Sequence, residues 1–216
     1  MKRQRGFTLI ELLVAIAVMA LLAIMSWRGL DGMARAQERN KARGEAVLTL
    51  QTALSQWSAD LDVMTPLPTT RALDWDGRLL RITRRGTDDL RPAMYVVAWA
   101  LRSDADGTRW ARWQSAALTG RDEWQLAWNR AASWAQDGTT RNDAQGAEVA
   151  LMPVEGWQLY YFRNNTWGPA VGAEALGSTD PLPDGVRLVL TLPPGPALAG
   201  VLTRDWVRPT AGAPKA

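Results

Sequence analysis

The carboxylate of Glu11 lies in a run of residues from Phe7 to Met25 that contains no other ionisable group. At a rise of about 1.5 Å per residue, a helix of this length is just long enough to cross a bilayer core of roughly 30 Å. An acid in hydrocarbon costs about 2.5–3.5 kcal/mol, so it is expected to have a partner. The position of Glu11 therefore predicts a functional acid; the alternative is an ordinary membrane anchor whose acid reaches the interface.

The residues on either side of this run indicate what kind of segment it is. Lys2, Arg3 and Arg5 precede it and are followed by Gly6. A secretory signal peptide would have a shorter apolar region with a small-residue cleavage site after it, and residues 26–28 (SWR) do not form such a site. Because basic flanks stay in the cytoplasm, the amino terminus is expected there and the remainder of the chain on the other side of the membrane, which in a didermic bacterium is the periplasm.

The string GFTLIE, from Gly6 to Glu11, closely resembles the class III signal of type IV prepilins. The resemblance implies that a prepilin peptidase cuts after Gly6 and methylates the new amino terminus at Phe7. It also implies that Glu11 meets the terminal amine of a neighbouring subunit. An amine and a carboxylate that are each costly in lipid attract one another strongly once they are paired. These residues point to assembly rather than to catalysis.

The composition argues against most enzyme classes. The chain has no cysteine and no histidine, which removes thiolate chemistry, the commonest zinc ligands and the usual nucleophile–imidazole pairs. We therefore expect no catalytic residue, no cofactor and no metal site. Asp60, Asp62, Asp74 and Asp76 are expected to be solvated acids in turns, because their spacing singles out no pair of carboxylates for hydrolysis.

The charge distribution argues against a nucleic-acid partner. The formal net charge is +3 and the pI is about 9.7, but residues 1–6 hold three positive charges and no negative one. The rest of the chain is therefore neutral overall and has little long-range attraction for a phosphate backbone. Arg81, Arg84 and Arg85 are expected on a solvated face of a strand.

Two further patterns have both a structural and a functional interpretation. The segment Ser103–Gly107 (SDADG) resembles the opening of a calcium loop but lacks a third acid and the bidentate Glu, so a hairpin turn is expected. Twelve tryptophans could form a stacking surface for sugars or unfolded peptide. We expect most of them to fill the core instead, and Trp27 to lie at the membrane interface.

Apolar spacing predicts one long helix from Phe7 to about Val63. After Met25, apolar residues recur at helical spacing from Trp27 to Ala34 and, beyond a polar patch from Gln37 to Gly44, at alternating intervals of three and four from Val47 to Leu61. Pro66 and Pro68 then end the helix. The predicted organisation is a leader (1–6), a helix (7–64, with 7–25 in the membrane and 26–64 amphipathic), a periplasmic β-rich domain (65–207) and a flexible tail (208–216). The apolar stripe of the second half of the helix is Val47, Leu50, Leu54, Trp57 and Leu61.

From Arg71 onward the hydrophobic period changes to two, which predicts strands. Four Asp-Gly pairs and Asn164-Asn165 supply turns, and they predict hairpins where alternating segments flank them. The segment Asp122–Gln136 is open to either a helix or a strand, and residues 139–146 are expected to form a polar loop. The fold class is therefore α+β, a long amino-terminal helix packed on antiparallel sheets. The predicted strands are Arg78–Arg85, Met94–Arg102, Thr108–Ala116, Gly156–Arg163, Gly185–Leu192 and Leu198–Val207.

Three later segments are similar to the J-type minor pseudopilins of type II secretion, the GspJ family. They are Trp27–Asp31 (WRGLD), Val154–Pro169 (VEGWQLYYFRNNTWGP) and Leu182–Leu188 (LPDGVRL). This resemblance implies the pseudopilin fold and a single-pass inner-membrane protein. It implies that the chain joins I- and K-type minor pseudopilins at the pseudopilus tip, where they prime polymerisation of the major pseudopilin for export of folded proteins across the outer membrane.

Other functions share parts of this pattern. A minor pilin of a type IV pilus would use the same signal, and a DNA-binding competence pilin would do so as well, although the neutral charge after residue 6 argues against it. A membrane-anchored periplasmic hydrolase that uses Asp or Glu is an alternative of another class.

Overall fold

A computed structural model describes residues 7–68, 70–86, 93–104, 107–136, 146–170, 182–195 and 197–209. The chain divides into two units, residues 1–45 and 46–216. Helix α1, Leu9–Asp62, contributes residues 9–45 to the first unit and residues 46–62 to the second. The long helix predicted from the spacing is thus confirmed, and it begins two residues later than expected.

The first unit exposes a continuous apolar surface. The side chains of α1 from Leu9 to Met25 are exposed, and this stretch is long and apolar enough to span a membrane. Soluble proteins rarely expose apolar patches of this extent, which mark membrane or protein contacts. Trp27, just beyond the stretch, is 74% exposed. Further along, Asp31 and Arg35 form an exposed ion pair at 2.7 Å, one helical turn apart.

In its described residues, the second unit contains two antiparallel sheets. Sheet A has five strands in chain order: β1 (Leu73–Trp75), β2 (Leu79–Arg85), β3 (Met94–Asp104), β4 (Gly107–Ser115) and β5 (Gly146–Pro153). Sheet B has the order β7-β6-β8-β9, formed by β6 (Gly156–Arg163), β7 (Thr166–Pro169), β8 (Gly185–Leu192) and β9 (Gly200–Val207). Helix α2, Arg121–Gln136, lies between β4 and β5 in the chain. The predicted α+β class is confirmed.

Both faces of sheet A are apolar, because each face packs into a separate hydrophobic cluster. One face of the sheet packs with the end of α1 and with sheet B in the main core. The other face packs against α2. Successive residues of β3 therefore alternate between two cores, Val97 and Trp99 in the first and Val96 and Ala98 in the second. A strand that is buried on both sides is apolar throughout rather than alternating.

The tryptophans lie mainly in these cores, as predicted. Nine of the twelve are buried, which leaves little aromatic surface for stacking on sugars or peptides. Trp57, Trp99 and Trp110 are fully buried, and the rings of Trp99 and Trp110 lie 4.4 Å apart. Aromatic side chains thus supply much of the burial that stabilises this unit.

The six predicted strands are all present, with ends that differ by up to two residues. The prediction missed β1, β5 and β7. The ambiguous segment is helix α2; the Glu123 carboxylate caps its first turn by accepting bonds from the Thr119 amide at 2.8 Å and the Thr119 hydroxyl at 3.1 Å. Of the expected polar loop, residues 139–145 lie outside the described residues, and Gly146 begins β5.

The turn predictions had mixed outcomes. Asn164 and Asn165 adopt φ angles of 49° and 62° and join β6 to β7, as expected for a two-residue hairpin. Ser103 and Thr108 pair across the β3–β4 hairpin, although Asp106 and the pair at 137–138 lie outside the described residues. Asp184-Gly185 is not a hairpin turn, because Gly185 is the first residue of β8.

Candidate functional site

The predicted assembly residues lie where α1 begins. Gly6 is outside the described residues. Phe7 is 87% exposed, and Glu11 is exposed in the first turn of the helix. The Glu11 Oε2 atom accepts hydrogen bonds from the backbone amide of Thr8 at 2.9 Å and from the Thr8 hydroxyl at 2.8 Å. The Thr8 Oγ1 atom in turn accepts a longer bond from the Glu11 amide at 3.4 Å.

This reciprocal arrangement is a capping box, which satisfies amides at the start of a helix that have no intrahelical partner. The role of Thr8 was not predicted, although Thr-x-x-Glu before an apolar run is the signature of such a box. Both hydrogen bonds that the Glu11 carboxylate accepts end at its Oε2 atom. Within the described part of the chain, Oε1 accepts no hydrogen bond, so the carboxylate keeps one oxygen available for a donor from outside it.

A second set of polar residues lies deep in the second unit, around Asp60. The Asp60 carboxylate is fully buried and accepts five hydrogen bonds. Arg112 donates two of them at 2.8 Å, from Nε to Oδ2 and from Nη2 to Oδ1. Arg84 Nη1 reaches Oδ1 at 2.6 Å, Trp99 Nε1 reaches Oδ2 at 2.9 Å, and Gln56 Nε2 reaches Oδ1 at 3.1 Å. We call these five residues the Asp60 hub.

The hub corrects two predictions. Asp60 is not a solvated turn acid, and Arg84 does not lie on a solvated face, since its side chain is only 12% exposed. In both cases the reason is that Asp60 in α1 forms ion pairs with arginines of strands that are distant in the chain. A buried carboxylate is tolerated when charged donors supply all the hydrogen bonds that its oxygens accept. Because Asp60 is saturated and has no access to solvent, it does not have the properties of a general base or nucleophile.

Asp74 and Arg81 form a second buried pair on the other side of sheet A. Arg81 Nη2 lies 2.5 Å from Asp74 Oδ2, and the guanidinium carbon lies 4.7 Å from the ring centre of Trp128 in α2. The predictions of a solvated Asp74 and a solvated Arg81 were therefore also wrong. Asp76 is the exposed turn acid that was expected; its Oδ1 accepts bonds from the amides of Arg78 and Leu79.

Asp62, near the end of α1, contacts sheet B. It is exposed, and its Oδ1 accepts a hydrogen bond from Trp206 Nε1 in β9 at 2.8 Å. The last turn of α1 is thus bonded to sheet A through Asp60 and to sheet B through Asp62.

No grouping of acids suggests hydrolytic chemistry in the described ranges. They contain no group of three or more Asp or Glu residues that could hold a metal ion. An open groove of about 230 Å³ is lined mainly by apolar side chains and contains no ionisable group. Its lining residues are Ala46, Thr49, Leu151, Met152, Pro153, Leu192, Pro193, Ala197 and Leu198.

The sequence is similar to a family model and to curated proteins. Residues 1–27 match the family model of the prokaryotic N-terminal methylation motif. Type II secretion system protein J of Escherichia coli is 26% identical over 223 aligned positions, covering 96% of this chain and 98% of that protein. Type II secretion system protein J of Vibrio cholerae serotype O1 is also 26% identical, over 200 positions that cover 87% of this chain and 81% of that protein.

The fold has a counterpart among solved structures. The chain is similar to one in the crystal structure of the GspK-GspI-GspJ complex from the type 2 secretion system of enterotoxigenic Escherichia coli. The TM-score is 0.50 with 17% identity, over 75% of this chain and 96% of that chain. At this identity the similarity concerns the fold, and it agrees with a long helix on antiparallel sheets.

Proposed function

We infer that this chain is a J-type minor pseudopilin of a type II secretion system, and that it acts in the pseudopilus tip complex. The observation that carries this inference is the similarity to secretion system protein J of Escherichia coli, which extends over nearly the whole length of this chain and of that protein. The methylation motif at residues 1–27 and the fold agree with it. The protein is membrane-anchored through the apolar stretch of α1 from Leu9 to Met25, and its partners are other minor pseudopilins.

We propose that maturation creates the assembly site. A prepilin peptidase would cut after Gly6, and the amino group of Phe7 would become the methylated terminus. The new amine would carry a positive charge at the edge of an apolar helix, where an unpaired charge is costly. A carboxylate on a neighbouring subunit would relieve that cost.

Glu11 is the proposed partner for the amine of such a neighbour. The capping box supports this role because Thr8 occupies Oε2, while within the described residues Oε1 is left without a hydrogen bond. The box also reduces the cost of inserting the acid before assembly, since the carboxylate already accepts two hydrogen bonds. We therefore propose that Thr8 keeps Glu11 compatible with lipid until a neighbour docks.

The wider mechanism is templated assembly. The subunit would join I- and K-type pseudopilins, and this complex would prime polymerisation of the major pseudopilin, which drives folded proteins across the outer membrane. The amino terminus would remain in the cytoplasm and residues 65–207 in the periplasm, with the anchor in the inner membrane. We assign no catalytic step and no cofactor to the chain.

Complementation tests this function. In a type II secretion strain that lacks its J-type subunit, the full-length chain, expressed at native level with the partners from its own system, is expected to restore export. The Glu11→Ala variant is expected to insert into the membrane but to restore little export. Glu38→Ala, which removes an exposed acid of α1 outside the apolar run, is the matched control and should export normally. Normal export by Glu11→Ala would reject the role of this residue.

The same strain separates the alternatives. Failure of the unchanged chain to restore export, while its membrane level and its partners are normal, would reject the secretion assignment. Surface fibres without export would favour the type IV pilus alternative. The curated relatives are secretion proteins, so we expect export.

A further inference from the structure

The apolar contact between α1 and sheet A specifies which face of the helix is buried, but it specifies the position along the helix axis only weakly. In α1 the buried apolar side chains are Leu50, Ala53, Trp57 and Leu61. They repeat roughly every turn and pack on a sheet face that is itself apolar. Hydrophobic contact has no direction. A slip of α1 by one turn, about 5.4 Å, would still place apolar side chains on this face, and only the fit of Ala53 and Trp57, which differ in size, would oppose it.

The Asp60 hub has the directional character that these buried apolar side chains lack. Its donors come from three neighbouring strands of sheet A: Arg84 from β2, Trp99 from β3 and Arg112 from β4. All of them converge on the two oxygens of one carboxylate at 2.6–2.9 Å. A slip of one turn would break every bond between the helix and these strands and leave two buried guanidinium groups without a carboxylate, which is strongly unfavourable.

We propose that Asp60 is a positioning residue that fixes the register of residues 46–62 of α1 on sheet A, while the apolar core supplies most of the stability. Buried ionic groups often contribute little net stability compared with apolar residues of similar volume, and their best-attested role is to specify register. The consequence for assembly rests on the proposed function: a slipped register changes which side chains of residues 46–62 face partner subunits.

A variant with an apolar hub separates register from stability. We choose the triple substitution Asp60→Leu, Arg84→Met and Arg112→Met in the full-length chain, because it removes all charges of the hub together and leaves none unpaired. The matched control is Arg187→Met with Asp205→Leu. It removes a bidentate pair that joins β8 to β9 in sheet B, through Arg187 Nε and Nη2 at 2.7 Å, and does not involve α1.

Three measurements are compared: the melting temperature, hydrogen exchange of the amides in residues 46–62, and export in the complementation strain. We expect the triple variant to melt close to the unchanged chain, to exchange roughly tenfold faster within 46–62, and to lose export. The control should keep both the exchange rate in 46–62 and export. A triple variant with unchanged exchange in 46–62 and normal export would overturn the proposal.

If the triple variant does not fold, Arg112→Lys gives the answer. This substitution keeps the charge but loses the two parallel bonds to Asp60, and Arg187→Lys is its control. Faster exchange confined to residues 46–62 in Arg112→Lys supports a register role. Equal acceleration over the whole of residues 46–209 overturns it. The exchange measurement does not depend on secretion, so failure of the unchanged chain to restore export would reject the proposed function alone.

Discussion

Arg112 in β4 forms a bidentate ion pair with Asp60 in the last turn of α1, with both hydrogen bonds at 2.8 Å between residues 52 positions apart in the chain. The Asp60 side chain is fully buried, and that of Arg112 is 13% exposed. Buried charges require partners, and a planar guanidinium matches a carboxylate with two parallel bonds. The pair therefore joins the last turn of α1 to strand β4 of sheet A.

Removing the charge of Asp60 alone should be severely destabilising. Asp60→Asn retains the size of the side chain but leaves Arg84 and Arg112 buried without a carboxylate, which typically costs about 3–5 kcal/mol. Urea unfolding of the detergent-solubilised chain measures the change in the free energy of unfolding. Asp31→Asn, which breaks an exposed ion pair with Arg35, should lower the free energy of unfolding by only about 0.2–0.5 kcal/mol. Equal stability of the two variants would show that the hub carries no buried charge.

The exposed pair of Arg187 and Asp205 predicts a dependence on pH. The hydrogen bond from Arg187, helped by its charge, lowers the pKa of Asp205 below the usual range of an aspartate. A group whose pKa is lowered in the folded state stabilises the protein above its unfolded-state pKa, about 3.9, and loses this contribution as the pH falls through the folded-state pKa.

The Asp205→Asn variant tests this dependence. Its melting temperature should lie below that of the unchanged chain at pH 7, and the difference should shrink as the pH falls below about 4. High salt should also reduce the difference, because the pair is exposed. A difference that stays constant or grows toward acidic pH would contradict the assigned pairing.

Gly185 should not accept a side chain. A Cβ atom there would lie 3.1 Å from the carbonyl oxygen of Trp206 and 3.2 Å from side-chain carbons of both Phe162 and Trp167. Gly185→Ala should therefore overpack the start of β8 and cost about 1–3 kcal/mol. Gly156→Ala is the control, because its nearest neighbours would be 3.9 Å away. Thermal unfolding compares the two, and a larger loss in Gly156→Ala would contradict the packing described.

Local sequence signals predicted the elements whose pattern is long or chemically distinctive. The period of two predicted six strands, and Asn164-Asn165 predicted the β6–β7 hairpin. Strands β1 and β7 have only three and four residues, too few for a period to be recognised. β5 was missed because it directly follows a polar stretch.

The bonds from the Asp60 hub to sheet A have no local signal. The Asp60 partners Arg84, Trp99 and Arg112 are 24, 39 and 52 residues away. In the sequence Asp60, Arg84 and Arg112 each resemble a surface residue, and only the tertiary fold brings them together with Trp99. The capping box is the opposite case, since Thr8 and Glu11 are three residues apart and their bond could have been predicted from the Thr-x-x-Glu spacing.

Intact mass of the membrane-extracted protein, with and without a co-expressed prepilin peptidase, tests whether maturation creates the proposed assembly site. We predict loss of residues 1–6 and the addition of one methyl group at Phe7 when the peptidase is present, and the uncut chain when it is absent. An uncut chain in the presence of an active peptidase would reject the proposed assembly site, because the amine that Glu11 is proposed to meet in a neighbouring subunit would not exist.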